Sequence, residues 1–213
     1  MAIDPAAAVG AVTRSVGTTE RDGKTARTLT AERIYDTTPD DLWDALTNPE
    51  RLPRWFLPVS GELKLGGRYQ IIGNAGGTVT ACRPPQHLGL TWEMMGQVSW
   101  VDVRIEPAGD GAKLILEHVA HVDDALWDQF GPGAVGVGWD LALHGLGLHL
   151  ESGEALDPEA GAAWPTTPEG KVFVRGASEG WRDASIAAGT PAASAGPAAE
   201  RSTGFYTGEA PPG

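Results

Sequence analysis

Residues 131–150 read GPGAVGVGWDLALHGLGLHL, and this run restricts the fold more than any other part of the chain. Val135, Trp139, Leu143, Leu146 and Leu150 recur at helical steps, while Val137, Leu141 and Leu148 fall on the opposite side. A helix that is apolar all round has to be covered all round. Asp140 and two histidines interrupt it, so it is no membrane span, which needs about 18 or more apolar residues. Gly136, Gly138, Gly145 and Gly147 each cost a helix roughly 1 kcal/mol relative to Ala. That is tolerable where a second backbone or a ligand comes close, and close packing is the simplest reading. Asp140 near one end and His144 and His149 near the other suit the helix dipole, as dipole partners or solvent-facing groups.

The preceding residues supply one cover. Residues 25–37 (TARTLTAERIYDT) suit a first strand. Thr38 can cap a helix, Pro39 fits its first position, and Asp40 and Asp41 lie in its first turn. Leu42, Trp43 and Leu46 give that helix an apolar side. Asn48-Pro49-Glu50 repeats the start signal for a second short helix carrying Leu52, Trp55 and Phe56. From Gly61 the period changes to two. Strands are expected over 62–65, 68–73, 78–83, 88–95, 97–106 and 112–121, joined by Gly-rich turns, which makes an antiparallel meander. Asp123-Asp124 opens a further short helical segment. Such a sheet must bury one face, and the element long enough to bury it is 134–150.

Three regions follow. Residues 1–24 lack periodicity and read as a disordered leader. Residues 25–152 form the α+β domain. Residues 153–213 are a C-terminal extension that keeps apolar anchors (Trp164, Phe173, Trp181, Phe205, Tyr206). A helix is expected over 168–188 with its stop at Gly189, a linker over 191–197, and a last short turn to Tyr206. The anchors predict that the extension folds back onto the outward face of the long helix. They could instead pair two copies, which leaves a homodimer open.

A net charge of −12 excludes a basic nucleic-acid face and disfavours docking on anionic lipid. The single Cys82 rules out an internal disulfide and suits a cytoplasmic location; mid-strand, it reads as a small buried residue. Eight Trp against three Tyr and four Phe point to a thick core or a roomy apolar pocket.

Residues 34–55 (IYDTTPDDLWDALTNPERLPRW), Leu65-Gly66-Gly67-Arg68, Leu90-Thr91-Trp92, Glu106-Pro107 with Asp110-Gly111, Leu114 to His118, and Gly138-Trp139 together resemble the START-like superfamily, also called helix-grip or birch-pollen-allergen-like. Within it they look most like the bacterial activator-of-heat-shock-protein-90-ATPase-like family. The resemblance covers about residues 25–152. It implies a helix-grip fold: a meander of about six to seven strands curved round a long C-terminal helix, two short helices after strand 1, and here a helical C-terminal extension. It also implies an enclosed apolar cavity between sheet and helix. It does not imply one function, since members bind lipids, polyketides or hormones, a few catalyse cyclisations, and many have no assigned activity. The family name suggests a chaperone partner, for which the sequence identifies no surface.

Among candidate chemical groups, His118 shares a strand face with Leu114 and Leu116 and should point inward, where Arg33, Glu93, a water or a ligand would satisfy it. His118 and His121 sit three apart, on opposite faces of a continuing strand; they could share a metal only if the strand ends at Val119, and no HExxH or CxxC supports one. Arg33, Arg68, Glu93, Asp102 and Arg104 are expected mostly on the outer face. No Ser-His-Asp order or phosphate loop stands out. The expected function is binding of a small apolar molecule, with Trp43, Trp55, Phe56, Trp92, His118 and Trp139 as walls and no catalytic residue, metal or cofactor assigned. The alternatives are a cyclase- or hydrolase-like enzyme using His118 as general base, and a co-chaperone-like or regulatory module acting through its surface.

Overall fold

Thr38 begins the first well-capped helix as its sequence dictates. The computed structural model, which describes residues 4–209, shows its hydroxyl accepting from the Asp41 N–H at 3.2 Å, with Pro39 in the first turn. In chain order the described residues form α1 (Pro5–Gly10), β1 (Val12–Arg21), β2 (Lys24–Tyr35), α2 (Pro39–Thr47), a 3-10 turn (Leu52–Arg54), β3 (Val59–Gly61), β4 (Arg68–Ile71), β5 (Gly76–Arg83), β6 (His87–Met94), β7 (Gln97–Ala108), β8 (Gly111–Ala120), α3 (Asp124–Phe130), α4 (Gly133–Ser152), α5 (Pro158–Ala163), a second 3-10 turn (Trp164–Thr166), α6 (Pro168–Ala187) and α7 (Ala192–Thr207). The fold is α+β and helix-grip in class, with one eight-stranded antiparallel sheet in the order β1-β2-β8-β7-β6-β5-β4-β3.

Eight strands stand where about six to seven were expected. Residues 5–21, read as part of a leader without structure, form α1 and β1. Asp22 (φ 51°) and Gly23 (φ 71°) make a tight hairpin turn into β2, the Asp-Gly signal that favours two left-handed residues. The strand expected over 62–65 is displaced to Val59–Gly61. Gly61 (φ 101°) ends it, and residues 62–67 reverse the chain through Gly67 N–H to the Lys64 carbonyl at 2.8 Å. The linker expected over 191–197 is instead the start of α7, with Pro197 inside the helix. Proline there removes one helical hydrogen bond, which the buried Ala195, Ala198, Ala199 and Ser202 offset by packing.

The chain divides into two compact units. The second comprises Glu32–Ala120 and Gly145–Leu156. Its inward sheet face follows the period of two. Val101, Val103 and Ile105 of β7 lie opposite His118, Leu116 and Leu114 of β8, and all six are buried. Helix α2 packs on these two strands through fully buried Leu42 and Ala45. By leaving water Leu42 contributes about 2 kcal/mol and the single methyl of Ala45 about 0.8 kcal/mol. The last turns of α4 lie over Arg33, and a Cβ at Gly147 would stand 2.6 Å from its guanidinium, so a larger residue there would have to displace that side chain.

The first unit comprises the chain to Ala31, His121–His144, and Asp157 onward. Here α6 and α7 pack on the first turns of α4. A Cβ at Gly136 would overlap the Trp181 ring, and the Tyr206 hydroxyl donates to the Ala134 carbonyl at 2.9 Å. Thr167 caps α6, and Gly189 (φ 102°) follows its end. Asp140, expected to act on the helix dipole, is instead fully buried. It accepts from Arg14 Nη2 at 2.7 Å and Nε at 3.1 Å, and from the Trp181 indole at 2.6 Å. A buried carboxylate requires such pairing, because an isolated charge in an apolar interior is prohibitively costly.

Candidate functional site

The second unit holds the candidate site. On its inward sheet face, Leu88, Leu90 and Trp92 of β6 lie opposite the buried Val103 and Val101 and opposite Ser99 of β7. Unlike the β7 and β8 residues, these three are only half-buried. They pack with Phe56, Leu57 and Cys82 around a core of Tyr69, Ile71 and Val79. A register shift between Val79 and Ala81 marks a bulge in β5, a feature that bends a strand and increases its twist. The result is a wall of large apolar groups not fully covered within this unit.

His118 stands at the edge of that wall. It is 5 % exposed, its Nε2 is 2.8 Å from the Ser99 Oγ, and its ring centroid is 6.5 Å from that of Trp92. The Ser99 hydroxyl donates to the Trp92 carbonyl at 3.2 Å, which leaves its oxygen to accept from the imidazole N–H. Burial lowers the His118 pKa to about 4, so the ring is neutral at pH 7. Arg33, Glu93, a water or a ligand was expected beside it; Ser99 was not named. Its alternation with Val101, Val103 and Ile105 already assigned it to the inward face.

The other expected wall residues have varied surroundings. The Trp55 indole donates to the Ala45 carbonyl at 2.9 Å and its ring stacks on Phe56 at 5.4 Å, so it also holds α2 in place. Trp43 is half-buried on α2. Trp139 falls in the first unit, half-buried on α4. Of the strand charges, Arg68 and Glu93 pair on the outer face at 2.9 Å, as expected, whereas Arg33 is buried over the Tyr35 ring.

The two helix histidines are buried rather than solvent-facing. His144 stacks on Trp164 and packs tilted against Phe173, the three rings forming one cluster in the first unit. In the second, His149 donates from Nδ1 to the Glu154 carbonyl at 2.7 Å and accepts from Arg51 Nε at 3.1 Å. Arg51 also grips Asp41 at 2.7 Å, and this bond is the main cause holding the Asp41 pKa below its ordinary value. Among the described residues no three His, Cys, Asp or Glu side chains are grouped to hold a metal ion. Among them, too, no helix is long and apolar enough to cross a membrane.

Residues 36–151, which carry α2, the whole meander from β3 to β8 and nearly all of α4, match the family model "Activator of Hsp90 ATPase homolog 1-like protein". The chain belongs to this family. The crystal structure of CalU16 from Micromonospora echinospora is 31% identical with a TM-score of 0.64, covering 82% of this chain and 98% of that one. The solution structure of the same protein has a TM-score of 0.69 at 29% identity over 84% of this chain and 97% of that one. These shares exceed the family segment, so the likeness to CalU16 reaches beyond it. Protein MLL2253 from Mesorhizobium loti is 25% identical with a TM-score of 0.53, covering 59% of this chain and 97% of that one. No curated protein matches the sequence.

Proposed function

We propose that the second unit binds a small hydrophobic molecule against the β5–β6 wall, with Trp43, Trp55, Phe56, Trp92 and His118 around it. The observation that carries this reading is the unequal burial of one sheet face. Leu88, Leu90 and Trp92 stay half-buried beside Val101 and Val103, which are not. An apolar wall of this kind with one convergent polar group is the make-up of a small-molecule site. Neutral His118 would offer that group, giving orientation rather than charge. Met94, Met95 and Val98, exposed at the β6–β7 turn beside Trp92 and Ser99, would edge the entrance. Cys82 is a free thiol, in keeping with action in the cytoplasm. General-base catalysis by His118 is disfavoured, because a base with a pKa of about 4 takes protons weakly at neutral pH.

Native mass spectrometry of the protein purified from its own host tests the reading, paired with a titration of N-phenyl-1-naphthylamine. A retained apolar molecule is expected. Saturable dye binding that weakens at least several-fold in Trp92→Ala and Leu90→Ala is expected with it. No retained molecule, together with dye binding indifferent to both substitutions, overturns it.

A further inference from the structure

The extension builds a second cleft, within the first unit, that the reading above does not use. It lies between α6, α7 and the Gly131-Pro132-Gly133 turn, and its interior offers ≈ 30 Å³ to water-sized groups. At about 10–15 Å³ per water, that holds two or three waters, or a narrow chain of about four heavy atoms, and no ring. Trp127, Pro132, Ala195, Ala198 and Ala199 give it its apolar wall, and Asp128 and Arg182 are the charged residues on its lining.

One group in it is unexplained. Ser178 of α6 lines the cleft at 1% exposure, and its Oγ has no hydrogen-bond partner among the described residues. Leaving a buried hydroxyl unpaired costs about 1–3 kcal/mol. Other hydroxyls nearby are satisfied: Ser185 donates to Thr190 at 2.8 Å, and Ser202, also on α7, donates to the Phe130 carbonyl at 2.7 Å. The lining cation, Arg182, is engaged with Asp183 at 2.8 Å. An anionic head group would find the lining cation already paired, and a cationic one would find only the exposed Asp128, so neither gains a buried counter-ion. A neutral oxygen would complete Ser178, and a thin alkyl chain would fill the alanine-lined space.

We propose that this cleft is a binding site for a short, linear, uncharged oxygenated molecule, an unbranched alcohol or ketone or that end of a longer chain, with its oxygen paired to the Ser178 hydroxyl. The site is independent of the β5–β6 wall.

The test is an NMR titration of the full chain with propan-1-ol, following backbone amides. Saturable shifts are expected at residues 131–133, 178 and 195–199. Ser178→Ala should weaken binding about fivefold, the worth of one hydrogen bond, while leaving the thermal midpoint of the unliganded protein unchanged or raised. Ala198→Leu, which fills the space, should abolish binding. Shifts that never saturate, or equal affinity in Ser178→Ala, overturn the proposal. So does an ordered water held on Ser178 Oγ that propan-1-ol fails to displace.

Discussion

The two units solve the problem of a buried polar group in opposite ways. In the first, Asp140 sits fully buried among helices and is ionised, matched by the two-pronged Arg14 and the Trp181 indole. In the second, His118 sits equally deep on a sheet face and is neutral, matched by a serine. A charge can be kept inside where a rigid partner of opposite sign is delivered to it from elsewhere in the chain; where desolvation dominates, the group gives up its charge. The first unit is thereby locked by one network, whereas the second keeps an apolar face with one uncharged handle.

Breaking the ion pair should have the largest effect. Asp140→Ala leaves the Arg14 guanidinium buried without its carboxylate, and a loss of about 3–5 kcal/mol in urea denaturation is expected. The double substitution Arg14→Met with Asp140→Leu should recover most of that loss. If it does not, the network does more than satisfy itself.

The second effect sharpens the neutral side. The His118 pKa in the folded chain, about 4, lies below the ordinary 6.5. The unfolded state therefore takes up a proton first as pH falls. The stability associated with this group is fully present above pH 6.5, declines between 6.5 and 4, and amounts to about 3 kcal/mol. Denaturation midpoints at pH 7 and 4.5 should show this decline, and it should shrink in His118→Gln. A His118 ring seen by NMR to titrate near pH 6.5 would falsify the neutral assignment.

A third measurement compares the two ends of the sheet face. Leu116→Ala, under α2 and fully packed, should cost about 2–5 kcal/mol. Leu90→Ala, on the half-covered wall, should cost clearly less, because it was never fully out of water. Equal losses would mean that the wall is packed solid. The smallest effect belongs to the outer face. Arg68→Ala removes a solvent-exposed pair with Glu93 and should leave the denaturation midpoint unchanged within error, at low salt and high.

Much of the architecture was legible in local rules. The caps of α2, the alternation of β7, the stop of α6 before Gly189 and the inward aim of His118 follow from residues a few positions apart. The β1–β2 hairpin was missed although Asp22-Gly23 announces it, because β1 is rich in Thr, Arg and Ser and buries only Val12 at its start. Trp55 shows the same limit within the candidate site: its aromatic character was plain, but the bond that fastens it to Ala45 was not.

By itself, then, the sequence determined the meander from β4 to β8, the caps of α2 and α6 and the family, since these are written in local periodicity, capping and short motifs, but not the bounds of β1, β3 or α7. Only the tertiary structure decided that Asp140 is charged and His118 is not. It also decided that His149 answers to Arg51, and that Ser178 is left without a partner. The physical reason is distance along the chain. Arg14 and Asp140 are 126 residues apart, and the protonation and pairing of a buried group depend on what the fold brings beside it.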